Sequence, residues 1–209
     1  MDQLVKHVLS GKCIVYPTTT QPALGCILKS DALDILYEIK KRDNSQPLSI
    51  AVYDIEQAKK IVEVPDDVVE ILKNFPEGAL TIILKSKNKL DSRLGGMSVA
   101  VRVVSHEIAK KILRRTGPLT ATSANISGYK PISNCKKSAE ILSTEKNEVI
   151  GHNSDCMQET PSTLISWWTV CESHKSPSIE VLREGIVSSK EVQQWWKKWI
   201  LSNGKMLGT

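Results

Sequence analysis

Short apolar runs alternate along this chain with stretches in which apolar residues recur every three or four positions, the mixed signature of strands and amphipathic helices in one α/β unit. The runs Lys12 to Tyr16, Pro47 to Tyr53, Leu80 to Lys85, Ser98 to Val104 and Leu119 to Ala121 predict strands, and Glu148 to Gly151, Ser162 to Trp168 and Ser178 to Leu182 predict three more. Helical spacing predicts helices over Asp31 to Lys40, Ile55 to Val62 and Asp66 to Asn74. A further helix opens at Ser105 and runs through Arg115, with Glu107 in its first turn, basic residues in its last and Gly117-Pro118 as its stop. Ser188-Ser189-Lys190-Glu191 reads as a capping box for a helix to about Leu201, on which Val192, Trp195, Trp196, Trp199 and Ile200 form an amphipathic stripe. The expected organisation is one domain over 1–187, a tryptophan-rich helix over 188–201 packed on it, and a frayed tail over 202–209.

Composition narrows the class without naming it. A chain of 209 residues with 41% hydrophobic and 24% charged residues can bury a full core. Its formal charge of +5 suits a phosphorylated or nucleic-acid partner without requiring one. Five widely spaced cysteines without a CxxC suggest neither a disulfide framework nor a zinc site, and the four scattered histidines argue against a protein-held catalytic metal. No segment approaches the roughly 18 apolar residues of a membrane span, so cytoplasm and no membrane partner are expected.

The segment Thr122-Ser123-Ala124-Asn125-Ile126-Ser127-Gly128 follows a strand directly and is poor in core-forming residues. Backbone N–H groups, hydroxyls and a carboxamide at such a handover can converge on an anion, although Ser, Asn and Gly equally build ordinary caps and turns. Lys40-Lys41-Arg42 closes a helix, where basic residues complement the dipole or reach over a polyphosphate. In Ser98 to Val104 the odd positions are valine, and Arg102 shares the other face with Ser98 and Ala100. An arginine there needs an anionic partner if that face is covered. Tyr16 to Gly25 reads as a polar loop whose three threonines line a small-molecule pocket or a plain turn.

In order, these segments resemble the YrdC-like threonylcarbamoyl-AMP synthase family. The resemblance rests on Tyr16-Pro17-Thr18-Thr19-Thr20, Lys40-Lys41-Arg42 with Pro47-Leu48, Phe75-Pro76-Glu77-Gly78-Ala79-Leu80-Thr81, Val99-Ala100-Val101-Arg102 and Ser123 to Gly128. Pro161-Ser162-Thr163-Leu164-Ile165 and Leu182-Arg183-Glu184-Gly185 resemble two closing motifs, so the likeness spans about residues 4–190. It implies a single α/β domain with a twisted, mixed sheet folded around a basic cavity. It also implies a nucleotidyltransferase that joins L-threonine, bicarbonate and ATP into threonylcarbamoyl-AMP and pyrophosphate, with Mg2+ carried by the ATP phosphates and no organic cofactor. The product would feed a tRNA-modifying threonylcarbamoyl transferase machinery acting beside the anticodon, with tRNA or double-stranded RNA as a further candidate partner.

By the same resemblance Lys40, Arg42 and Arg102 carry the catalytic charge. Lys40, Arg42, Ser98, Ser123, Asn125 and Arg183 would hold ATP, and Thr18, Thr20, Gln46, Arg102 and Ser162 would hold threonine, Arg102 by pairing with its carboxylate. The chain departs from the family pattern at Thr19, where an acidic residue is usual, at Pro22-Ala23 in place of an aromatic residue and glycine, at Gln46 in place of histidine, and at Glu77 in place of glycine. Pro22 fixes its own φ and restricts Gln21, which bears on amino-acid specificity. Two other readings stay open on sequence: a paralogue that binds nucleotide or RNA with little synthase activity, and an interaction protein whose tryptophan-rich end is its working surface.

Overall fold

A computed structural model describes residues 1–157, 160–167 and 179–202. Nine strands form one mixed sheet in the order β7-β1-β2-β6-β3-β5-β4-β8-β9. They are β1 (Ile14–Tyr16), β2 (Ala23–Gly25), β3 (Ser49–Val52), β4 (Leu80–Lys85), β5 (Ser98–Val103), β6 (Leu119–Ser123), β7 (Ile150–Gly151), β8 (Thr163–Ser166) and β9 (Glu180–Arg183). The helices are α1 (Asp2–Leu9), α2 (Ser30–Lys40), α3 (Ile55–Ala58), α4 (Asp66–Asn74), α5 (Glu107–Thr116), α6 (Cys135–Leu142) and α7 (Ser189–Ser202).

Strand alternation divides the apolar residues between the two faces of the sheet. Val15, Leu24, Ile50, Val52, Val99, Val101, Leu80, Ile82 and Ile165 belong to the larger core, with Leu33 and Leu36 of α2, Val68 and Ile71 of α4 and Ala139 of α6. On the other face, Ile14, Tyr16, Ala23, Ala51 and Leu119 pack with α1 and α5 through Leu4, Val8, Ala109, Ile112 and Leu113. Farther across that face, Ser49, Ala100 and Ala121 are small, and the space they leave is the cavity described below.

Where the elements differ from the expectation, tertiary pairing accounts for it. Ala23–Gly25, read as the end of a polar loop, is strand β2, antiparallel to both β1 and β6. The helix expected to reach Val62 stops at Ala58, because Val62 and Glu63 turn to pair with Ser86 and Lys85 at the end of β4. Helices α1 and α6 were not indicated by the apolar spacing, although Asn134 caps α6 by accepting the Lys137 N–H at 2.8 Å. The capping box forms at α7: Glu191 accepts from the Ser188 amide at 2.9 Å, and the Glu191 amide donates to the Ser188 hydroxyl at 3.3 Å. Val192 and Trp196 are buried, and Trp196 meets Trp167 edge-on with ring centroids 5.8 Å apart. Ser202, assigned to the tail, closes α7; Trp168, Ser178 and 203–209 lie outside the described residues.

Candidate active site

A cavity of about 310 Å³ opens on the small-residue part of the sheet. The strand register explains its lining. Ala51 opposes Arg102, Thr81 opposes Leu164, and Leu164 opposes Arg183. Continuing the Ile82–Val101 pairing by one residue sets Thr81 beside Arg102, so five strands contribute one transverse row, Ala51–Arg102–Thr81–Leu164–Arg183, with a guanidinium group at its second and last positions. Arg42 and Ser123 close the cavity on the loop side, and Thr20, Pro22, Pro161 and Ser162 complete it.

Arg102 is the central charge. It is only 7% exposed, its Nε donates to the Gly78 carbonyl at 2.9 Å, and its Nη1 makes a long 3.5 Å contact with the Thr18 hydroxyl. Its Nη2 is buried without a hydrogen-bond partner, and among the described residues no carboxylate or imidazole lines the cavity. Burial, only partly offset by Tyr16, pushes its pKa down to about 10. An unpaired buried cation of this kind favours an anion beside it. Gly78 adopts φ +76°, which aims its carbonyl at Arg102; a Cβ there would lie 2.8 Å from the Thr19 hydroxyl.

The two closing motifs form one unit. Thr163 Oγ1 donates to the Val187 carbonyl at 2.5 Å and accepts from the amides of Gly185 and Val187, each at 3.0 Å. Gly185 lies so close to Pro161 and Ser162 that an added Cβ would overlap the Pro161 carbonyl. Arg183 Nη2 donates to the Ser162 carbonyl at 2.8 Å, and burial together with the neighbouring Arg42 lowers its pKa. The Ser162 hydroxyl pairs with that of Thr81 at 2.7 Å.

On the loop side, Lys41 takes a left-handed conformation (φ 51°) that ends α2 and sends its neighbours in different directions. Arg42 reaches the cavity while donating to the carbonyls of Gln46 at 3.0 Å and Pro47 at 3.1 Å. Lys40 turns inward beneath the Ser123 to Ser127 loop, where its Nζ donates to the carbonyls of Ser123 and Asn125, each at 2.6 Å.

Of the residues expected to serve the site, Arg42, Arg102, Arg183, Ser123, Thr20 and Ser162 line the cavity. Thr18 stands just behind, sharing a 3.0 Å hydrogen bond with Thr20. Lys40, Asn125, Ser98 and Gln46 are not among the lining residues. Asn125 donates to the carbonyls of Ile126 and Tyr129, Ser98 is exposed at the start of β5, and exposed Gln46 contributes its carbonyl to Arg42 and Tyr37. Of the departures, Pro22 forms part of the wall, whereas Thr19 faces Ser105. Sequence reasoning missed Thr81, Ser49, Ala100 and Ala121 as lining; a lone hydroxyl in Leu80-Thr81-Ile82-Ile83-Leu84 was the available signal.

A mixed sheet with Arg102 and Arg183 on its strands, Arg42 on the loop after α2 and a cluster of buried hydroxyls gives this α/β protein a cavity suited to an anionic ligand. The chain belongs to the Sua5/YciO/YrdC family, whose model, described as "Telomere recombination", matches residues 6–185. A Methanocaldococcus jannaschii relative is 32% identical over 90% of this chain and 86% of its own length. The threonylcarbamoyl-AMP synthase of Bacillus subtilis is 36% identical over 56% of this chain and 36% of its own. Pyrococcus abyssi Sua5 complexed with L-threonine superposes with a TM-score of 0.76 at 29% identity, covering 91% of this chain and 55% of that one. E. coli YciO superposes with 0.75 at 25% identity over 91% of each chain. The chain thus spans little more than half the length of that Sua5.

Proposed function

We propose that this protein is an L-threonylcarbamoyladenylate synthase, converting L-threonine, bicarbonate and ATP into threonylcarbamoyl-AMP and pyrophosphate. The observation that carries this reading is the buried, unpartnered Nη2 of Arg102 in a cavity lined by two further arginines and, among the described residues, no acid. Its planar fork suits the threonine carboxylate, while Thr20, Thr81 and Ser162 supply hydroxyls for the rest of the amino acid. Arg42 and Arg183, near enough for Arg42 to lower the Arg183 pKa, neutralise the triphosphate, and Ser123 takes the nucleotide. The threonine carbamate attacks the α-phosphorus, so the protein's contribution is alignment, charge neutralisation and exclusion of water rather than a covalent nucleophile. Mg2+ would be carried by the ATP phosphates and would offset their charge, since the described lining residues include no carboxylate.

The names of the relatives support the synthase over a nucleotide- or RNA-binding paralogue. The product would pass to the tRNA-modifying transferase machinery in the cytoplasm. Among the described residues no helix is long and apolar enough to cross a membrane. Mass spectrometry of the purified protein incubated with ATP, threonine, bicarbonate and magnesium tests the reading. Threonylcarbamoyl-AMP is expected, and its absence alongside tight RNA binding would favour the paralogue. A panel of other amino acids tests the Pro22 wall, with threonine expected to be the preferred substrate.

A further inference from the structure

Lys40 is 1% exposed, deeper than any other charged side chain among the described residues. A buried ammonium is costly unless its N–H groups find acceptors. Here two come from one loop: the carbonyls of Ser123 and Asn125, two residues apart, converge on Nζ at 2.6 Å each. The Lys40 carbonyl in turn accepts the Ser127 amide at 2.9 Å, so one residue at the end of α2 fastens the loop at three points. Cavity-lining Arg42 and Ser123 flank this fastening, while Lys40 itself lines no part of the cavity.

We propose that Lys40 is a positioning residue, whose side-chain nitrogen holds the Ser123 to Ser127 loop from beneath and presents Ser123 to the nucleotide, rather than a ligand of the triphosphate. This rests on the reading that nucleotide occupies the cavity beside that loop. The chemistry is that of a lysine nitrogen locked among backbone carbonyls, since the neutral amine keeps two N–H donors for these two acceptors and the ammonium three. A phosphate group would have to displace two short hydrogen bonds to reach it.

The test is amide hydrogen exchange of Lys40→Met in the absence of any nucleotide, followed by steady-state kinetics. Loss of two hydrogen bonds is expected to speed exchange of the Ser123 to Gly128 segment by about tenfold or more, with β3 and β5 unchanged. The KM for ATP should rise about tenfold, with the KM for threonine changed by less than about threefold. Lys40→Gln, which retains a donor for these carbonyls, should fall between Lys40→Met and wild type, and it supplies the comparison if Lys40→Met does not fold. Loop exchange at the wild-type rate in the folded variants overturns the proposal, whether or not ATP binding weakens. The exchange measurement contains no substrate, so a failure of the synthase reading shows instead as missing turnover by the wild-type protein.

Discussion

The two walls of the cavity are built on opposite terms. Around Arg102 the wall is made of paired strands, its side chains set by register, and its guanidinium keeps a buried N–H without a partner. Around Arg42 the wall is loop, and its donors are satisfied by the protein itself: Arg42 by the Gln46 and Pro47 carbonyls, the Asn125 side-chain amide nitrogen by Ile126 and Tyr129, Lys40 by Ser123 and Asn125; the atoms this loop leaves buried without a partner, Asn125 Oδ1 and Ser127 Oγ, carry no charge. A ligand at the strand wall relieves an unpaired charge, whereas a ligand at the loop wall exchanges one set of hydrogen bonds for another and gains less net free energy. The strand wall is therefore the place to look for affinity and selectivity, and the loop wall for positioning.

The strongest way to break this contrast is Arg102→Ala. Removing one partner of a buried charge pair costs about 2 to 5 kcal/mol, or about 30-fold to several thousand-fold in kcat/KM for threonine. Because the arginine lacks an anion in the free protein, the ligand-free Tm is expected not to fall. A lower Tm with unchanged threonine dependence would make Arg102 a structural residue. Arg102→Lys should restore only part of the activity, since a point charge does not reproduce the fork.

Gly185→Ala tests whether the strand wall needs its supporting motif in place. The added Cβ collides with Pro161 and should cost about 1 to 3 kcal/mol in denaturant unfolding while displacing Ser162 and weakening threonine binding. Wild-type stability and kinetics would show that the contact yields without moving the site.

The loop wall is sharpened by pH. Burial, with Arg42 adding to it, lowers the Lys40 pKa from 10.5 to about 7. Between those values the unfolded chain holds a proton that the folded state has released, so stability rises with pH, by up to about 1.4 kcal/mol per pH unit. Cys13 and Tyr16, whose pKa values are raised in the fold, act the other way as their ordinary values are approached, so the window to read is about pH 7 to 8.5. Denaturant unfolding of the ligand-free protein should show the rise in wild type and not in Lys40→Met; identical profiles would mean that Lys40 keeps its proton.

The smallest effect is expected at Lys41. Glycine removes the left-handed strain at φ 51° at some entropic cost, a net gain of about 0.5 to 1 kcal/mol in unfolding free energy with ATP kinetics unchanged. Destabilisation would mean that the Lys41 side chain, rather than its backbone, matters there.

How much was legible in sequence follows the same divide. Arg102 could be picked out because strict alternation of Val99, Val101 and Val103 fixes its face before any pairing is known. Helix α4 and strand β4 match their predicted bounds because their apolar spacing is unambiguous. Strand β2 was hidden because three residues carry no period of their own and become a strand only by pairing with β1 on one side and distant β6 on the other. The inward turn of Lys40 was hidden too: side-chain direction at a helix end depends on which loop packs over it, and that loop lies more than eighty residues away in sequence. Thr81 joined the site by register alone.

The most direct test of the contrast is calorimetric binding of L-threonine and of a non-hydrolysable ATP analogue to wild type, Arg102→Ala and Arg42→Ala. The account predicts that Arg102→Ala loses threonine binding while holding the analogue within about threefold of wild type, and that Arg42→Ala weakens the analogue by about 1.5 to 3 kcal/mol while keeping threonine. Threonine binding at wild-type strength in Arg102→Ala would contradict it.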